Sequence, residues 1–123
     1  MFTVNGTTIS LSRGDTGAIR ITANAKYRGT DTPYVFGERD RALFTIRGNG
    51  KIVKQKAYPI VQNKFTVVFA NADTDQMAAG AYSWDVRYVI NPKYDGDVIV
   101  DGDQVITPNG PMQANLLSVV GEI

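Results

Sequence analysis

Between Tyr82 and Ile90 the chain alternates with a period of two. Tyr82, Trp84, Val86, Tyr88 and Ile90 fall on one face, and Ser83, Asp85 and Arg87 on the other. That period belongs to a half-buried β-strand, not to a helix. The single Trp and two of the six Tyr stand on the apolar face, so this strand is expected at the centre of the core. The segment before it, residues 73–80, reads as a turn or one helical turn. Asp73 or Thr74 can cap it, Met77 can tuck beneath it and Gly80 can end it. An apolar plug, a Gly and a Tyr-rich strand are a common entry to an inner strand of a Greek-key sandwich.

The same period recurs along the chain. Residues 7–12 put Ile9 and Leu11 on one face. Residues 17–24 point Ile19, Ile21 and Ala23 inward, and Arg20, Thr22 and Asn24 outward. Residues 42–47 align Phe44 with Ile46, and residues 64–70 align Phe65, Val67 and Phe69. Asn49-Gly50 joins residues 42–47 to residues 51–58, and Asn-Gly between alternating runs is a strong hairpin signal. Lys54 and Lys56 mark residues 51–58 as an exposed or edge strand, which Pro59 ends. Asn5-Gly6 suits a further tight turn. After Asn91-Pro92 the chain is expected to turn, and the Asp-Gly-Asp units at 95–97 and 101–103 are expected as turns at either end of a short strand.

Two apolar stretches have two readings each. Tyr34, Val35 and Phe36 interrupt the polar connection 26–41; they either pin that loop to the core or offer a contact patch. Leu116, Leu117, Val119 and Val120 lie in the closing segment 108–123; it is either an edge strand or an arm that docks on a neighbouring copy. Strands at about 10- to 15-residue spacing without a long helical period point to an all-β sandwich. Its body is expected over residues 1–107.

The chain has 123 residues, enough for one domain that buries roughly two-thirds of its unfolded surface. Thirteen basic and 12 acidic side chains leave a net charge of +1. That balance argues against a nucleic-acid binder, which gathers a basic excess on one face, and leaves little repulsion against self-association. Without Cys there is no disulfide and no thiolate site; without His the commonest general base and metal ligand are missing. No run approaches the roughly 18 apolar residues of a membrane span, and Met1-Phe2-Thr3 does not begin a signal peptide. No membrane partner is expected.

Several residue sets resemble sites by letters. Arg13-Gly14-Asp15 is the integrin-binding tripeptide, but a strand-joining turn uses the same residues, Gly for positive φ and Asp for a local cap. Asp95, Asp97, Asp101 and Asp103 offer hard oxygen ligands for Ca²⁺, yet lack the loop spacing and the closing Glu. Asp73, Asp75 and Asp85 could supply a glycosidase pair, although Asp85 is on the outward face. Lys54 and Lys56 beside Tyr58 fit an exposed edge better than a nucleic-acid stripe. No phosphate loop, dinucleotide fingerprint or nucleophile elbow is present. The expectation is therefore no catalytic residue, no cofactor and no metal.

Two segments carry a family resemblance. The first runs Phe2-Thr3-Val4-Asn5-Gly6-Thr7-Thr8-Ile9-Ser10-Leu11-Ser12-Arg13-Gly14-Asp15-Thr16. The second runs Asp73-Thr74-Asp75-Gln76-Met77-Ala78-Ala79-Gly80-Ala81-Tyr82-Ser83-Trp84-Asp85-Val86-Arg87-Tyr88. Together they resemble the amino-terminal domain of baseplate upper proteins from phages and prophages of Gram-positive bacteria, over residues 2 to 107. Trp84 stands where Tyr is commoner. The resemblance implies an immunoglobulin-like β-sandwich of about seven to nine antiparallel strands. It also implies a structural role in the virion tail or baseplate, after synthesis in the bacterial cytoplasm, and no enzyme activity. Arg13, Gly14, Asp15, Gly80, Tyr82 and Trp84 carry over as fold-defining positions. The longer relatives carry a receptor-binding region after this domain; here only residues 108–123 follow.

The partners expected on this basis are other tail proteins and further copies of the chain. Tyr34, Phe36, Leu116, Leu117, Val119 and Val120 are the expected contact residues. The alternative is a carbohydrate-binding sandwich with Tyr27, Tyr34, Phe36 and Tyr94 as stacking faces.

Overall fold

A computed structural model describes residues 2–23, 32–75, 77–106 and 116–120, and the chain it shows is an all-β sandwich with one helical turn. The strands are β1 (Thr3–Asn5), β2 (Thr8–Ser12), β3 (Gly17–Thr22), β4 (Arg41–Gly48), β5 (Lys51–Pro59), β6 (Lys64–Phe69), β7 (Gly80–Asp95), β8 (Val98–Ile106) and β9 (Leu116–Val120). The helical turn α1 spans Asn71–Thr74. A large sheet runs in the order β1-β2-β9-β7-β4-β5, with β8 added on β7, and β3 and β6 form a second, two-stranded sheet.

β7 holds the large sheet together, because three strands pair with its 16 residues. β4 lines one edge from Ser83 to Val89. β9 takes the other edge at residues 80–83, and β8 takes that same edge at residues 88–95. The sharing follows from the overlap at Tyr88 and Val89, which pair with β4 and β8 at once. Beyond Val89 only β8 pairs with β7, so the distal half of the strand is a two-stranded ribbon.

The core lies between the sheets. Ile9, Leu11, Ala42, Phe44, Ile46, Trp84, Val86 and Tyr88 from the large sheet meet Phe65, Val67 and Phe69 from β6, all buried. The strictly alternating burial of β6 is the sequence period made physical. Each of the larger aliphatic and Phe side chains contributes about 1.5–3 kcal/mol by leaving water. Aromatic rings connect the layers: Phe44 stacks on Trp84 at 5.4 Å and meets Phe69 edge-on at 5.9 Å, and Phe65 meets Tyr88 edge-on at 6.2 Å. The Trp84 indole N–H donates to the Thr7 carbonyl at 3.0 Å, which fixes the β1–β2 turn over the core. Tyr82 is half-buried, and its hydroxyl donates to the Ala78 carbonyl at 2.6 Å. Met77 is buried below the turn, as the sequence led one to expect.

The hairpin at Asn49-Gly50 has positive φ at both positions, 54° and 75°, as a type I′ turn requires. β5 is an edge of the large sheet, as its lysines foretold.

Two expectations need correction, and a third holds with a longer strand. The chain turns after Asn91-Pro92, as expected, but β7 does not stop at Ile90. It continues through Asn91-Pro92, because Asn91 takes a left-handed φ of 47° and its amide N–H finds the Asp40 carboxylate at 3.0 Å. The turn comes later, at Asp95-Gly96-Asp97, where the first of the two Asp-Gly-Asp units sits. The second unit lies within β8, opposite Pro92 and Lys93. Gly102 is there for space: a Cβ would meet Val89 Cγ1 at 2.5 Å and the Ile90 carbonyl oxygen at 3.0 Å.

Finally, Leu116–Val120 is not an edge strand. It inserts between β2 and β7, antiparallel to β7 and parallel to β2. A run of Leu-Leu-Ser-Val-Val has the near-continuous apolar character of an interior strand. The rest of 108–123 lies outside the described residues.

Candidate interaction surface

Two of the three carboxylates weighed for glycosidase chemistry, Asp73 and Asp85, are engaged in ion pairs. Asp73 accepts the Ala70 N–H at 2.7 Å, closing the first turn of α1, and forms an ion pair with Lys54 of β5. Burial works to raise its pKa. The hydrogen bonds from Lys54 and from the Ala70 amide, with the charges of Lys54 and Lys56, outweigh burial and hold the carboxyl below its ordinary value. Asp85 pairs with Arg47 across β4 and β7. Asp75 is an exposed residue at the end of α1.

The acidic residues of the ribbon are not gathered into a metal site. Among the described residues no three acidic, His or Cys side chains are placed to hold an ion. Asp103 accepts from Asn91 Nδ2 at 2.9 Å and from Lys93 Nζ at 3.2 Å, and these two partners keep its carboxyl below the usual range. Asp101 accepts the N–H of its own neighbour Gly102 at 2.8 Å.

Arg13-Gly14-Asp15 is a fastened turn. The Ser12 amide donates to the Asp15 carboxylate at 2.8 Å, and Gly14 has φ 85°. From α1, Asn71 Nδ2 donates to the Gly14 carbonyl and the Thr74 hydroxyl to the Asp15 carbonyl, each at 2.8 Å. The two segments that carry the family resemblance therefore meet in space, and Thr74 is completely buried where they meet.

The expected contact residues divide into two groups. Tyr34 and Phe36 are half-buried and pack against the core, with their rings 5.0 Å apart and Phe36 4.9 Å from Tyr88. Val35, between them, is the residue turned to solvent. Leu116, Leu117, Val119 and Val120 belong to β9, whose backbone is paired on both sides within the chain.

The ribbon offers a different surface. Tyr94, Val98 and Val100 are 50%, 61% and 62% exposed, apolar side chains set among Asp95, Asp97 and Asp101. Beside them lies an open groove of about 360 Å³, walled by Tyr94, Val98 and Ile99 on the ribbon and by Leu43, Gln55 and Ala57 on β4 and β5. A second open groove, of about 440 Å³, runs along Tyr58, Pro59, Lys64 and Thr66 at the β5–β6 end. At the far edge Ile52 and Val53 of β5 are 55% and 46% exposed.

Sequence reasoning missed Asp40. It is buried and accepts from the Gly37 amide at 2.7 Å as well as from Asn91, so it ties the loop before β4 to the kink in β7. The only sequence signal was Gly37 three residues before it, the spacing of an Asp that closes a local turn.

Compared with known proteins, the chain matches no family model, no curated protein and no solved structure.

Proposed function

We propose that this protein is a structural component of a phage or prophage tail or baseplate, and that it works by packing against other proteins rather than by chemistry. The observation that carries this is the ribbon of β7 and β8. It holds Tyr94, Val98 and Val100 in solvent beyond the part of β7 that β4 pairs with. Exposed apolar side chains on a hairpin, rimmed by charge, have the composition of a protein contact. The setting in a virion is supported by the paired motifs of residues 2–16 and 73–88.

The reading is tested on particles. Phage particles purified from a strain that carries the gene are analysed by quantitative mass spectrometry. The chain is expected at a fixed ratio to the tail proteins. Its absence from purified particles, with tail proteins present, would overturn the proposal.

A further inference from the structure

The two longest strands bonded to a single neighbour among the described residues are β5, paired with β4, and β8, paired with β7; each has nine residues. Their sequences correspond with the charges reversed. β5 carries Ile52-Val53-Lys54-Gln55-Lys56, and β8 carries Ile99-Val100-Asp101-Gly102-Asp103. Residues 51–59 contain Lys51, Lys54 and Lys56 and no acid, whereas residues 95–103 contain Asp95, Asp97, Asp101 and Asp103 and no base. Each edge also exposes apolar side chains, Ile52 and Val53 on one and Val98 and Val100 on the other.

Charge decides which edges can meet. Lysine on an edge strand repels an added strand of like charge. β5 against β5 sets Lys beside Lys, and β8 against β8 sets Asp beside Asp; like charges opposed across a sheet destabilise it. β5 against β8 brings opposite charges together and covers both apolar pairs.

We propose that β8 of one copy adds to the edge of β5 away from β4 in a second copy, parallel and in register, with Ile99 opposite Ile52 and Asp103 opposite Lys56. The inference rests on the assembly reading above and names a second copy of this chain as a partner. Within the chain Asp73 already sits on Lys54, and Lys93 on Asp103. Across the junction these become charge networks rather than lone surface pairs, which are the ion pairs that contribute least. Because the two edges differ, the contact is head-to-tail, and successive copies close into a ring or extend into a filament.

Two charge-reversed chains test this. One carries Asp97→Lys with Asp101→Lys, and the other carries Lys51→Glu with Lys56→Glu; among the described residues none of these four is in an ion pair. Sedimentation velocity reads association, and circular dichroism checks the fold. Wild type is expected to self-associate in about 50 mM salt and to dissociate toward monomer in about 500 mM salt, where the screening length is only a few Å. Each reversed chain alone is expected to associate about tenfold more weakly or worse; an equimolar mixture keeps one unaltered junction, β8 of the Lys-to-Glu chain on β5 of the Asp-to-Lys chain, and is expected to form a one-to-one complex. Folded variants whose mixture stays monomeric overturn the proposal. So does wild-type association that salt does not weaken, a result that needs no variant. A wild-type monomer at every salt concentration also overturns it, but leaves the particle experiment above untouched, because packing against other tail proteins needs no second copy.

Discussion

The two halves of β7 share one strand and have opposite fates. Residues 83–89 lie between β4 and the β9–β8 edge, with Trp84, Val86, Tyr88 and Val89 buried. Residues 90–95 have only β8 beside them, and Tyr94 is half-exposed. The difference is not one of strand propensity, since Val and Ile also fill β8. It is one of what covers the strand: the β3–β6 sheet supplies Phe65, Val67 and Phe69 under the first half. One continuous strand thus serves as both the centre of a core and the stem of a surface.

The comparison is broken most severely at Trp84. Trp84→Ala empties the first half of its largest side chain and frees the Thr7 carbonyl; a loss of about 3–5 kcal/mol is expected from urea denaturation. Tyr94→Ser, on the second half, is expected to stay within about 0.5 kcal/mol of wild type in the same measurement. Equal losses at the two sites would erase the distinction between them.

Next in size is the joint between the halves. Gly102→Ala puts a Cβ against Val89 Cγ1 and the Ile90 carbonyl. It is expected to cost about 1–3 kcal/mol by overpacking. A neutral result would mean that β8 sits farther from the kink than described.

The smallest effect belongs to the edge opposite the ribbon. Asp73 has a lowered pKa in the folded chain, so it contributes stability above its unfolded value of 3.8, and that contribution is lost as the pH falls through the lower folded value. Lys54→Met is expected to cost no more than about 1 kcal/mol at neutral pH, because Lys54 is partly exposed. It should also flatten the acid limb of the stability curve below pH 3.8. An unchanged acid limb would assign the pH dependence to other carboxylates.

Much of the first half of β7 was legible in the sequence, and little of the second. The alternation Tyr82–Trp84–Val86–Tyr88 follows directly from one face turned to a core, and the Asn-Gly hairpin from the positive φ values that this dipeptide adopts readily. The run through Asn91-Pro92 was not legible. Local propensity there favours a turn, and what overrides it is Asp40, about fifty residues away in sequence, binding the Asn91 amide. Gly102 misled for the same reason. Its glycine serves a close approach between strands, and in sequence that is indistinguishable from a turn. β9 could be recognised as apolar, but strand insertion between β2 and β7 is a long-range pairing that periodicity does not encode.

Of the two readings of Tyr34 and Phe36, the loop pinned to the core is the one seen: Phe36 packs on Tyr88 and Tyr34 on Phe36, a direction set by tertiary packing. The ribbon surface was invisible until Asp-Gly-Asp at 101–103 proved to be strand.

Native-state hydrogen exchange along β7 and β8 tests the division most directly. Hydrogen-bonded amides between Trp84 and Val89 are expected to exchange only through global unfolding, and those of residues 93–95 and 98–101 through local opening at markedly lower free energy. Uniform protection along all sixteen residues of β7 would contradict it, because the strand would then be one cooperative unit with no separable ribbon.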